Sequence, residues 1–409
     1  MNGPPWLASP FRVFYLLGAG FAVVWMISTA LSFTLGSPWP AAHLHAHEMI
    51  FGFALAIVVG TALTALPSWA GMAEVGRGPL AVLAAAWLAG RLACAAGDAL
   101  PPLWVGAIDL ALPVLLAAGL VPALIRLAQR RWLVLPVLLV GLGVANLLWH
   151  VAQARGDAAG AAQALRLALW PVVVMFSLAG GLLTPVFTAN VLRAAGLEPP
   201  APPRPALEVA ALVALVALAA CDLGGAAAGV TTVAAIAAFV LQTWRVVRWR
   251  GWRIARGRTR GLASCGGAGA REGEGNEVRD LLVLAMHLGF AWLLVALALR
   301  VAIACGAPLP ASSWVHAFTV GALGAMMLGL MTRVALRHTG RPAVAPRGFG
   351  WWLALAGVAA ALRVGAPWLG PWAHAAAAAA WALVFAAWLA RHGVDLATPS
   401  LPRAQHTPR

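Results

Sequence analysis

Leu44-His45-Ala46-His47-Glu48-Met49-Ile50-Phe51-Gly52-Phe53-Ala54-Leu55-Ala56-Ile57-Val58-Val59-Gly60-Thr61-Ala62-Leu63-Thr64-Ala65-Leu66-Pro67-Ser68-Trp69 holds one carboxylate and no arginine or lysine. A run of this length crosses a hydrocarbon core of about 30 Å as an α-helix. It lacks the strict alternation of a barrel strand, and only helices and closed barrels satisfy their backbone in lipid. The stretch therefore predicts a transmembrane helix that opens with histidines and an acid at one membrane boundary.

Eleven more runs of the same kind surround it. In order, the twelve expected spans are Phe11–Thr34, Leu44–Trp69, Pro79–Ala96, Leu103–Leu127, Trp132–Ala152 and Gln163–Ala189, then Ala206–Leu223, Gly225–Val247, Val278–Ala304, Ala311–His338, Phe349–Gly365 and Trp372–Arg391. The fold class is thus all-α, a polytopic integral membrane bundle in one domain. The first run has no positive flank and no small-residue cleavage site, so it reads as a retained span and not as a signal peptide. Composition agrees: of 409 residues, 62% are hydrophobic and 10% charged, far from the balance of a soluble domain.

All 28 basic residues are arginine, and the formal net charge is +15. A nucleic-acid binder would spread such charge over a solvated face. Here 23 of the 28 arginines fall in the intervals that share a side with both termini. The positive-inside rule then places both termini in the cytoplasm, in a bacterial inner membrane, with no nucleic-acid partner. The interval 245–280 is the one long loop; its Gly-rich middle, 257–275, reads as a flexible basic linker facing anionic lipid. The four cysteines (Cys94, Cys221, Cys265, Cys305) are scattered, which excludes a disulfide framework or thiolate metal site.

Histidine carries the chemistry. His43, His45 and His47 open the second span, His150 lies near the outer end of the fifth, His316 near the outer end of the tenth, and His374 begins the twelfth. Six histidines from four spans are thus expected at one depth in the outer half, with His287 deeper. His338 reads as a helix end whose cation suits the dipole terminus. Helical spacing puts His43 over His47 and His45 beside Glu48. Glu48 stands at the edge of hydrocarbon, where an acid costs on the order of 2.5–3.5 kcal/mol, so it calls for a partner, His45 or an arginine. Asp109 is a second intramembrane acid. Three histidines and a glutamate within six residues favour a metal, haem or proton function. Spacing leaves haem, copper, zinc and a proton relay open, and the absence of Cys-x-x-Cys-His makes any haem non-covalent. Trp69, Trp104, Trp132, Trp149 and Trp314 are expected in the aromatic belts.

The segments from His45 to Phe53 and Leu63 to Gly71, Ala145 to His150, Met286 to Trp292, His316 to Gly324, and Met331 through Pro342 together resemble the NnrS family, in order and along most of the chain. The resemblance implies a twelve-span protein containing haem and copper, linked to denitrification and to relief of nitrosative stress caused by nitric oxide. It makes His45, His47, His150, His287 and His316 the cofactor-binding candidates. His43, His45, His47 and His316 are the metal candidates, with Glu48 behind them. One departure is Leu182, which follows Gly180-Gly181 where the family segment carries arginine. No adjacent His-His pair occurs, which excludes membership among haem–copper oxidases. The alternative from another class is a multi-span transporter or channel for a metal, haem or a small nitrogen species; twelve spans suit a 6+6 plan, but the likeness of His45–Gly52 to His316–Gly324 is too thin to establish a duplication.

Overall fold

The computed structural model describes residues 3–36, 42–126, 134–255 and 280–402. Among these there is no strand, and twelve helices are long and apolar enough to cross a membrane. They are α1 (Pro10–Leu35), α2 (Leu44–Ala70), α3 (Arg77–Ala96), α4 (Pro102–Ile125), α5 (Val134–Ala154), α6 (Ala158–Ala194), α7 (Pro205–Leu223), α8 (Ala228–Arg248), α9 (Leu281–Ala304), α10 (Ser312–His338), α11 (Phe349–Leu369) and α12 (Trp372–Ala397). The protein is a multi-pass membrane protein. All twelve expected spans are present, including the separate α7 and α8, and α10 ends at His338 as read from the sequence.

Differences lie at the ends. α9 begins at Leu281 because Asp280 caps it, its carboxylate accepting from the main-chain N–H of Leu282 (3.0 Å) and Val283 (3.1 Å). α6 is longer than expected at both ends, and α12 runs on to Ala397. Leu127, Trp132, Val278, Cys265, His406, the 257–275 linker and the side chain of His43 lie outside the described residues.

Neighbours in sequence are mostly neighbours in space. α1 packs along both α2 and α12, and each later helix lies against the next, so the bundle closes on itself. α2, α6 and α10 are the most buried spans. Each contains a wider π-helical segment: Glu48–Ala54, Phe176–Gly180 and Ala317–Leu323. Such turns disturb the i→i+4 ladder and are frequent at functional sites. Here two of them are held from a neighbouring helix. Trp87 Nε1–H donates to Gly52 O (3.0 Å), and Arg245 Nη1–H donates to Ser177 O (2.9 Å). In α2 and α10 the π segment follows directly on a histidine, His47 or His316, and carries a glycine five positions later, Gly52 or Gly321. Those glycines let aromatic rings approach, Phe21 on Gly52 and Trp292 on Gly321. The π segments recur every fourth span, an interval that a 6+6 duplication does not produce.

Candidate functional site

The end of the bundle that carries the α1–α2 connection gathers two groups of polar side chains. The first lies among α2, α3, α4 and α5. It is built from His47, Glu48, Arg91, Asp109, Asn146 and His150, all buried. Asp109 stands at a break in α4, where Pro113 has no N–H to complete the ladder to the Asp109 carbonyl. Gly90 gives the carboxylate room, since a Cβ there would meet Asp109 Oδ1 at 2.6 Å.

Arg91 bridges the two acids, with Nη1 on Glu48 Oε1 and Nη2 on Asp109 Oδ1. Asp109 Oδ2 accepts from Asn146 Nδ2 (2.9 Å) and from His150 Nε2 (2.9 Å). His47 Nδ1 lies 3.0 Å from Glu48 Oε1, and its Nε2 lies 2.8 Å from Asn146 Oδ1. The hydrogen-bond network assigns the protons. Glu48, ion-paired with Arg91, can only accept, so His47 Nδ1 donates. Asn146 has turned its NH₂ to Asp109, so its oxygen faces His47 and Nε2 donates as well. Both ring nitrogens of His47 therefore carry hydrogen, which makes it an imidazolium. Trp149 stacks on that ring, with centroids 3.9 Å apart and planes inclined by 25°. Two cations, Arg91 and His47, then balance two anions, Glu48 and Asp109. A buried ionic group survives in low dielectric when it is neutral overall and largely hydrogen-bonded; this one is neutral, and of its side-chain atoms Glu48 Oε2 and Arg91 Nε have no hydrogen-bond partner among the described residues.

The donor atoms of His47, Asp109 and His150, and those of His47, Glu48 and Cys94, lie within 4.8 Å of one another, close enough to share an ion. Protons and hydrogen bonds already occupy the His47 nitrogens, so the distances alone overstate that option.

The second group has the opposite character. Thr29 of α1 donates its hydroxyl to Trp25 O (2.9 Å), so its oxygen accepts from His45 Nδ1 (3.2 Å). His316 Nδ1 lies 2.7 Å from Ser312 O, a carbonyl that can only accept. Both imidazoles are thereby fixed as Nδ1–H tautomers, and both leave a lone pair on Nε2 with no hydrogen-bond partner among the described residues. This is the usual arrangement of a ligating histidine, whose far nitrogen is held by an outer partner. His45, His374 and the Arg363 guanidinium lie within electrostatic reach of His316.

Sequence motifs in these two groups are matched by a family model. The model described as NnrS protein covers residues 5–260 and 272–400. The chain belongs to the NnrS family. No curated protein matches it.

Within this NnrS family member, the other expected positions sort as follows. His150 has one anchored nitrogen, on Asp109, and its Nδ1 faces the Gly106 backbone. His287 donates from Nε2 to Thr188 Oγ1 (2.8 Å), because the Thr188 hydroxyl is spent on Thr184 O. Its Nδ1 lies against Gly251, where a Cβ could not fit. His287 thus joins neither group. Leu182 is half exposed and points outward, and the cation near the paired glycines is Arg245 of α8, whose guanidinium packs on Gly181 and pairs with Glu208. Glu48 has the expected arginine as partner, and its histidine partner is His47, not His45, because the π segment begins at Glu48 and turns that side chain back over its neighbour. Trp104 is exposed in the manner of a belt residue, whereas Trp149 and Trp314 are buried. Trp149 covers His47 and Trp314 stacks on Trp170, so neither serves the belt.

Sequence reasoning did not single out Arg91, Asn146, Thr29 or Arg363. A lone arginine within an apolar span was the available signal for Arg91 and Arg363. Thr29 offered none, since threonines commonly bond to their own helix, as this one also does.

Proposed function

We propose that this protein binds haem and copper in the bacterial cytoplasmic membrane and acts in nitric oxide metabolism or relief of nitrosative stress. The observation that carries this reading is the pair His45 and His316, two neutral imidazoles on different helices with Nδ1 anchored and Nε2 without a hydrogen-bond partner among the described residues. Neutral imidazole suits haem iron and copper alike, and the anchoring partners Thr29 and Ser312 would raise its basicity and fix its plane. When bound, such a metal supplies an open coordination position for a small diatomic molecule.

The chain's own residues would do the rest. His45 and His316 hold the metal; His150 and His287, each with one free nitrogen, are the next candidates for a second centre. The neutral network of His47, Glu48, Arg91 and Asp109 would hold the opening of α2 in place, two residues from His45, without itself ligating. Family membership supports the nitric oxide assignment.

The test is an optical and metal analysis of the purified full-length protein from haem-sufficient, copper-replete cells. A Soret band and stoichiometric copper are expected, with the band shifting on addition of nitric oxide. His45→Ala and His316→Ala should each abolish one or both signals. A colourless, metal-free preparation overturns the proposal.

A further inference from the structure

Arg363 of α11 differs from the four buried arginines of the spans. Arg12 donates to the main-chain oxygens of Leu396 (2.7 Å) and Thr398 (2.6 Å), closing the end of α12. Arg91, Arg245 and Arg300 each face a carboxylate. Arg363 has no hydrogen bond, ion pair or ring contact with any described residue, and no acid acts on it. It stands six residues before the last residue of α11, about 9 Å from the helix end at the usual rise.

α11 packs against the start of α10, which carries His316, and against α12, which carries His374. His45, His316 and His374 all lie within its electrostatic reach. The helices show why they meet. Phe33 of α1 stacks on His374 of α12 (centroids 4.8 Å, planes at 30°), and Thr29, one turn earlier on the same face of α1, holds His45. α10 packs against α11 where His316 begins its π segment. His374 Nδ1 is buried, and its ring interacts with the main chain of Pro371. Among the described residues the neighbourhood thus offers one unpaired guanidinium, the His374 imidazole and two Nε2 lone pairs without a hydrogen-bond partner, with no carboxylate paired with the cation.

We propose that Arg363, with His374 beside it, forms an anion subsite next to the His45–His316 pair. Its ligand is a small planar anion with two oxygens on one atom, nitrite or a carboxylate. A guanidinium presents two parallel N–H donors that match such an anion in bidentate fashion, which ammonium cannot do. The proposal rests on the cofactor reading for what the neighbouring imidazoles do, but the anion site itself needs only Arg363. Two sources share this chemistry, a free anion or the carboxylate arm of a bound cofactor.

The experiment is calorimetric titration of sodium nitrite into the detergent-purified full-length protein, as purified and after cofactor removal, for wild type, Arg363→Gln and Arg363→Lys. Haem and copper content and the elution profile are measured on every sample. Saturable nitrite binding is expected, weakened about tenfold or more in Arg363→Gln. Arg363→Lys, which keeps the charge without the fork, falls between the two. Formate should compete and chloride should not. Nitrite binding that appears only after cofactor removal, and still needs Arg363, assigns the occupant to the cofactor's carboxylate arm. Equal nitrite affinity in wild type and Arg363→Gln, or no binding in either wild-type form, overturns the subsite. Metal-free, colourless protein that binds nitrite through Arg363 removes the proposed function and keeps the subsite. Coloured, copper-bearing Arg363→Gln with wild-type nitrite affinity does the reverse.

Discussion

His45 and His47 stand two residues apart at the opening of one helix and live in opposite chemical worlds. His47 faces α3, α4 and α5, where an oxygen of Glu48 and the amide oxygen of Asn146 meet its two nitrogens, so it is held with both protonated inside a neutral ionic group. His45 faces α1 and the start of α10, where one threonine oxygen fixes its tautomer and no described residue hydrogen-bonds to the other nitrogen. The first environment uses an imidazole as a cation that stabilises structure. The second presents an imidazole as a base. What separates them is the direction in which each side chain leaves the helix, and hence which neighbours surround it.

Removing the central cation should break the closed group most severely. Arg91→Met leaves Glu48 and Asp109 buried without their bridge, and a loss of about 3–5 kcal/mol is expected. The check is thermal unfolding and yield in detergent. Restoring neutrality with Glu48→Gln in the same chain should recover a substantial part; no recovery would argue against charge balance as the cause. Next in size, His47→Ala leaves the Asn146 oxygen without its donor, while Glu48 keeps Arg91, and should cost roughly 1–3 kcal/mol. Protein that survives should keep its Soret band if His45 and His316 hold the cofactor as proposed, and loss of colour in folded His47→Ala would place it among the ligands.

The open group should respond in the other order. His316→Ala gives up one hydrogen bond to Ser312, about 1 kcal/mol, so the fold persists while haem or copper content collapses. A normal metal content in this variant would remove His316 from the site. Smallest of all, Thr29→Val keeps the shape but drops the oxygen that orients His45. Stability should barely change, and metal affinity should fall about 10–100-fold, as measured by competition with a chelator. Unchanged affinity would mean that Thr29 serves only its own helix.

Much of the fold could be read from apolar run length alone, because a bilayer admits few solutions. All twelve spans were visible, and the errors came at caps and helix ends, where Asp280 or a continuing amphipathic tail decides the boundary. The histidines were visible too. Their division was not, because span depth is a one-dimensional coordinate and cannot say which way a side chain points. Six histidines expected at one level separate into His47 with His150 on one side and His45, His316 and His374 on the other, and the side chain of His43 is outside the described residues. Arg91 and Asp109 each appeared alone as an unpaired charge in lipid. Only the packing of α3 against α4 shows that each is the other's partner.

The charge pattern followed the same division. Arginine placement along the chain gave an expected orientation, since loops are sorted by charge before any tertiary contact exists. The chain also determined that α2 would open with imidazoles and an acid, and that it would be the signature of an NnrS protein. Tertiary structure decided the protonation of each ring. Asn146, by turning its amide toward Asp109, makes His47 a donor twice over, and Thr29, by spending its hydroxyl on Trp25, leaves His45 with a free lone pair. A proton's position depends on which acceptors converge in space. That information comes into existence only when the helices pack.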